Sequence, residues 1–222
     1  MLTENNVFPP ATSRFGIHRR EALEKLYEEL QCLSITLLRL LAAATASAEL
    51  PDALILGDSV STLRLLHYPS VSHEGIGSGQ ELCCTPHTDS GLLTLLHQDA
   101  TGGLEVLNAA GEWIAAPYVP GSLVVNIGDL MASMMGGRFV ATRHRVRRSP
   151  AGRDRYSVPF FFEPGVNATV GRDEAGKDIR YGDFVLGKMK TWIEFQEVNG
   201  DAEDGGDGGF GLGGRSEVDV RA

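Results

Sequence analysis

PHTDSGLLTLLHQDATGGLEVLNAAGEWIAAPYVPGSLVVNIGDL, residues 86–130, and RHRVRRSPAGRDRYSVPFFFEP, residues 143–164, decide the fold. Short apolar runs follow one another, each closed by Gly, Pro, Asn or Asp. They predict strands at Gly91–His97, Leu104–Asn108, Trp113–Ala115, Leu123–Ile127, His144–Arg147 and Tyr156–Glu163, with Thr62–Tyr68 ahead of them. Several short strands broken by turn signals argue for an antiparallel sandwich or barrel. Asn108-Ala-Ala-Gly111 suits a hairpin turn, and Asp129 suits the cap of a short helix reaching Met135.

Working outward, residues 1–18 form an extended lead-in containing Pro9 and Pro10. A long helix is expected over about Arg19–Ser47. Leu23, Leu26, Tyr27, Leu30, Leu33, Leu37, Leu38 and Leu41 recur at three- and four-residue steps and make one apolar stripe for packing. A last helix is expected at Trp192–Val198. From Gly200 the chain turns Gly- and acid-rich, with little to bury, and reads as disordered. The domain reading is therefore a lead-in and helix over 1–60, a strand-rich domain over 61–199 and a tail over 200–222.

The formal net charge of −9 argues against a nucleic-acid partner, and part of that charge sits in the tail. The basic cluster Arg143, Arg145, Arg147 and Arg148 reads as the solvated face of a strand. Cys32, Cys83 and Cys84 make a poor disulfide framework and favour a reducing compartment. The first ten residues lack the pattern of a signal peptide. The most apolar stretch, Ile35–Leu50, is too short and too polar to span a bilayer. The chain reads as cytoplasmic, without a membrane partner; its oligomeric state is not set by these features.

Chemistry concentrates in a few residues. His87-Thr88-Asp89 puts an imidazole and a carboxylate two positions apart, on one face if the segment is a strand. His144, on the strand expected after a long apolar and Gly-punctuated stretch, is the best third ligand for a shared metal. Two histidines and one carboxylate leave coordination positions open, which suits Fe(II) and dioxygen, with zinc hydrolysis as the competing use. Arg155-Tyr156-Ser157 repeats the alternate spacing with a guanidinium and a hydroxyl. An inward-facing Arg beside a metal calls for an anion. Phe161 shares the parity of Arg155 and Ser157 and is expected to face the cavity and pack against substrate. His97 and His73 are weaker candidates, and neither Cys83 nor Cys84 has an evident activating partner.

The two quoted stretches, with 64-RLLHYP-69, resemble the 2-oxoglutarate- and Fe(II)-dependent dioxygenases of the isopenicillin N synthase-like group. The HxD pair, the GLEV and NIGD segments, the HRV triplet and the RxS pair occur in the family's order. The resemblance runs over roughly Ser61–Phe184. It implies a mainly β fold with flanking helices: a double-stranded β-helix, or cupin-like jelly-roll, preceded by the long helix. It implies His87, Asp89 and His144 as the iron ligands and catalytic centre. Arg155 and Ser157 would clamp the distal carboxylate of 2-oxoglutarate, and Tyr68 would help to hold it.

The chain departs from the family at Leu66, where an asparagine is usual, and at His67, where a tyrosine is usual; one polar contact to the cosubstrate is lost. Family members carry a further region before the long helix, so residues 1–60 read as its remnant. The expected reaction uses Fe(II), 2-oxoglutarate and O2 to hydroxylate or desaturate a small organic metabolite, releasing succinate and CO2. The alternatives are an oxidase of the same group that does not use 2-oxoglutarate, in which the Arg-Ser pair binds the substrate's own carboxylate, and a truncated, non-catalytic jelly-roll protein.

Overall fold

A computed structural model describes residues 6–45, 54, 57–70, 82–149, 153–189 and 217–220. The helices are α1 (Arg14–His18), α2 (Arg20–Ala44), α3 (Asp129–Met134) and α4 (Tyr181–Met189). The strands are β1 (Thr62–Tyr68), β2 (Leu82–His87), β3 (Leu93–Gln98), β4 (Leu104–Leu107), β5 (Trp113–Ala115) and β6 (Val124–Ile127). They continue with β7 (His144–Arg147), β8 (Arg155–Phe162), β9 (Thr169–Arg172), β10 (Asp178–Arg180) and β11 (Glu217–Val220).

The larger sheet runs β11-β1-β8-β3-β6 and the smaller β2-β7-β4-β5, while β9 and β10 make a separate hairpin. The paired strands are antiparallel, and this is the jelly-roll core that was expected.

The central strand β8 shows how the faces divide. Alternate side chains point to opposite sides. Phe160 and Phe162 are fully buried on one side with Leu63, Leu93 and Leu95. The apolar stripe of α2 joins this core, with Tyr27 meeting Phe160 edge-on at 5.1 Å between ring centroids. Tyr27 also donates its hydroxyl to the Ser61 carbonyl at 3.1 Å, which ties the helix to the start of β1. Burying each such aromatic contributes about 2–3 kcal/mol. Arg155, Ser157 and Phe161 take the opposite face, which looks toward the smaller sheet.

Most expected strands lie within a residue or two of their observed limits. The main difference is the start of β3, at Leu93 rather than Gly91. Residues 89–92 pair instead with the beginning of α3: Asp129 N donates to Asp89 O (2.8 Å), Leu130 N to Ser90 O (3.1 Å) and Gly128 N to Leu92 O (3.1 Å). Gly128, and not Asp129, occupies the cap position of α3. β2, β11 and the β9–β10 hairpin lay outside the expected strands; the hairpin buries little and carries a weak apolar pattern.

Arg145, expected on a solvated face, instead pairs with Glu105 at 2.7 Å and stacks over Trp113 at 4.3 Å. The expected helix at 192–198 and most of the expected disordered tail lie outside the described residues. Within that tail, Glu217–Val220 form a strand along β1. Among the described residues no helix is long and apolar enough to cross a membrane.

Gly91 and Gly128 touch backbone to backbone. A Cβ on Gly128 would sit 2.1 Å from the Gly91 carbonyl oxygen, and neither chain can yield without breaking the bonds just described. Gly128→Ala should therefore lower stability by about 2 kcal/mol or more, read as a shift of the urea unfolding midpoint.

Candidate metal centre

The site begins with strand register. In the β2–β7 pair, His87 stands opposite His144. Cross-strand neighbours bring their side chains close, and the two imidazole centroids are 4.3 Å apart. Each ring uses Nδ1 on a carbonyl two residues back: His87 on Thr85 O at 2.8 Å, His144 on Thr142 O at 3.1 Å. Nδ1–H donation to these carbonyls orients each ring so that Nε2 is the nitrogen a metal would take, in place of any proton there.

Asp89 arrives by a different route from the one strand parity suggests. β2 ends at His87, and Asp89 lies beyond it, just ahead of the bend at Ser90–Leu92. What turns its carboxylate inward is hydrogen bonding to the larger sheet. Thr94 Oγ1 and Asn126 Nδ2 donate to Oδ2 at 2.6 and 2.8 Å. The other oxygen, Oδ1, is left 3.8 Å from His87 Nε2 and 3.6 Å from His144 Nε2.

The donor atoms of His87, Asp89 and His144 lie within 4.8 Å of one another and form a metal-binding group. Two donors that share an ion at about 2.1 Å each can be at most about 4.2 Å apart. Both Asp89–His separations fall inside that limit, so Asp89 can share an ion with either imidazole, and all three donors lie close enough to hold one after a small adjustment.

The environment treats the two imidazoles differently. Burial lowers the affinity of His87 for a proton, but Cys84 Sγ at 3.7 Å, the Thr85 carbonyl and the Asp89 carboxylate outweigh it and bring its pKa up to about 9. Burial holds His144 below the ordinary imidazole range despite Asp89. Cys84, for which the sequence suggested no partner, thus sits against a candidate ligand.

The remaining site residues gather on β1 and β8. Arg155 is only 1% exposed. Its Nε donates to Gly102 O at 2.7 Å and its Nη1 to Ser157 Oγ at 3.0 Å. Its Nη2 is buried with no hydrogen-bond partner among the described residues. Tyr68 is the cross-strand neighbour of Arg155, with the guanidinium 5.1 Å above its ring. A buried cation held flat with one nitrogen unbonded fits a carboxylate. Phe161 is half-buried on the same face, between Thr62 and Thr94, and Arg64 lies over its ring at 5.6 Å. His97 is exposed on β3, and His73 lies outside the described residues.

Residues 59–164 match the 2OG-Fe(II) oxygenase superfamily. The chain carries a domain of that superfamily. A 2-oxoglutarate-dependent dioxygenase of Didymella fabae is 37% identical over 84% of this chain and 59% of its own length. A 1-aminocyclopropane-1-carboxylate oxidase of Dictyostelium discoideum is 46% identical over 43% of this chain and 24% of its own. Among solved structures, a full-length Neurospora crassa protein in complex with alpha-KG aligns with a TM-score of 0.71 and 28% identity, over 83% of this chain and 61% of that one. The same protein has been solved with alpha-KG and thymine, at a TM-score of 0.70 and 28% identity, over 82% of this chain and 59% of that one. The chain thus spans about three fifths of the Didymella and Neurospora proteins.

The Neurospora structures share the fold that in this chain brings the donor set together. Sequence reasoning assigned no role to Thr94 and Asn126, which hold the Asp89 carboxylate. The parity of Thr94 on β3 was a usable signal, since the odd-numbered leucines beside it are core. Asn126 lies in the family-like NIGD segment, but its partner is visible only once β3 and β6 pair. Thr94→Val should leave the fold intact and weaken divalent-metal binding about tenfold, measured by competition against a metal-sensitive dye.

Proposed function

We propose that this chain is the catalytic core of a 2-oxoglutarate-dependent oxygenase, with Fe(II) held by His87, Asp89 and His144. The observation that carries the reading is the buried Arg155 with its unbonded nitrogen, on the same face of the larger sheet as Thr94, which holds Asp89. Bound iron, with 2-oxoglutarate and O2, supplies the oxidation that hydroxylates or desaturates a substrate while the keto acid leaves as succinate and CO2.

The chain's own groups do the positioning. Two imidazoles, neutral once the ion takes the place of any proton on Nε2, and one carboxylate would cancel half of the ion's 2+ charge and leave positions open for the keto acid and O2. Arg155 would take the distal carboxylate through Nη2, and Ser157 would add its hydroxyl. Tyr68 backs the guanidinium plane and would offer its own hydroxyl to the cosubstrate. The fully buried setting of Arg155 strengthens the ion pair by excluding water.

Phe161 would form the wall against which a small organic substrate packs, and thymine in the Neurospora structure illustrates a ligand of that size. We place the protein in the cytoplasm because three cysteines, two of them adjacent, make a poor disulfide framework. The relative named 1-aminocyclopropane-1-carboxylate oxidase favours one rival, an oxidase whose Arg155 and Ser157 hold the substrate's own carboxylate.

Anaerobic addition of Fe(II) and then 2-oxoglutarate should produce a metal-to-ligand charge-transfer band; folded protein without that band would sink the main reading. Succinate formed in step with oxygen uptake separates it from the oxidase. Arg155→Met should raise the 2-oxoglutarate concentration that half-develops the band by about 10- to 100-fold, the equivalent of one charge-assisted contact. Phe161→Ala should weaken substrate binding without altering the band, and an unchanged affinity and product profile would remove Phe161 from the substrate wall.

A further inference from the structure

Thr88 lies between two of the three candidate ligands, and both of its oxygens are engaged by a residue a hundred positions away. Lys188, on α4, donates its Nζ to the Thr88 carbonyl at 2.9 Å and lies 3.3 Å from Thr88 Oγ1. The same ammonium is paired with Asp129 Oδ2, which also accepts from Thr88 Oγ1 at 3.0 Å. An ammonium has three protons to give, and the carbonyl, hydroxyl and carboxylate can take all three. The pair is mostly withdrawn from water, with Lys188 17% and Asp129 30% exposed, so it is less screened than a surface bridge.

Asp89 has its own anchors on the far side. Its carbonyl is held by Asp129 N and its carboxylate by Thr94 and Asn126. On the Thr88 side the hold comes from Lys188 and Asp129. Rotation of the peptide units on either side of Thr88 would change the 3.8 Å between His87 Nε2 and Asp89 Oδ1. Lys188 opposes that rotation by gripping the Thr88 carbonyl.

We propose that Lys188 is a positioning residue of the metal centre: from α4 it fixes the Thr88 peptide and thereby the spacing of His87 and Asp89. This rests on reading the three-donor group as a metal site. The competing account is an ordinary ion pair that attaches α4 to the sheet and affects stability alone.

Co(II) titration of the full chain without oxygen or 2-oxoglutarate, followed by the visible ligand-field absorption, separates the two. Lys188→Met should weaken Co(II) binding about tenfold and shift the absorption band. Tyr27→Phe, which removes a hydrogen bond on the far side of the core, should lower the melting temperature and leave affinity and band unchanged. A Lys188→Met protein that melts earlier but binds Co(II) with wild-type affinity and band overturns the proposal. Should Lys188→Met fail to fold, Lys188→Gln keeps one donor for the carbonyl. It should bind about threefold more weakly with a shifted band, and wild-type values there overturn the proposal equally. Wild-type protein that binds no Co(II) overturns the metal-site reading itself, a result distinct from either variant's.

Discussion

A carboxylate buried between two sheets stays charged only if its oxygens meet donors or cations. Asp89 meets this demand by dividing its two oxygens. Oδ2 belongs to the larger sheet through Thr94 and Asn126, and Oδ1 is turned to the imidazoles carried by the smaller sheet. One side chain therefore sets the distance between the two layers at the point where the chemistry is placed. The imidazoles are aligned by the β2–β7 register, and the backbone of Asp89 is locked against α3 through Gly91 and Gly128. Disturbing any one of these supports moves the same oxygen.

The site falls into two parts with different mechanical backing. The three donors sit where a strand end, a bend and a strand start meet, so their geometry depends on side-chain and helix contacts around them. Arg155, Ser157, Tyr68 and Phe161 sit within regular strands of the larger sheet, where pairing alone fixes their direction. The first part needs supporting bonds such as those to Thr94, Asn126 and Lys188; the second is supported by the ladder itself.

That division also explains what could be read from the sequence. Strand alternation correctly put Arg155, Ser157 and Phe161 on one face, because β8 is an unbroken strand. The same logic applied to His87 and Asp89 named two residues that do come together, but not by parity: the strand ends between them, and hydrogen bonds from distant residues turn the carboxylate inward. Asp129 is of a residue type that favours helix caps, but Gly128 takes that position. The Asp129 carboxylate is used by Thr88 and Lys188 instead, partners that only the tertiary fold brings near. The long helix was legible from its apolar stripe, while the β9–β10 hairpin, with little to bury, left no comparable signal.

The β1–β8 pairing has a consequence in time. It joins His67 to Asp154 across 87 positions and sets Tyr68 beside Arg155. Contacts so remote in sequence are slow to form, because a long loop must be closed before they repay its entropy. During synthesis β1 leaves the ribosome well ahead of the strand that will cover its edge. An apolar strand waiting for its partner is a template for the wrong one. The order of synthesis therefore leaves β1 exposed until β8 arrives to pair with it.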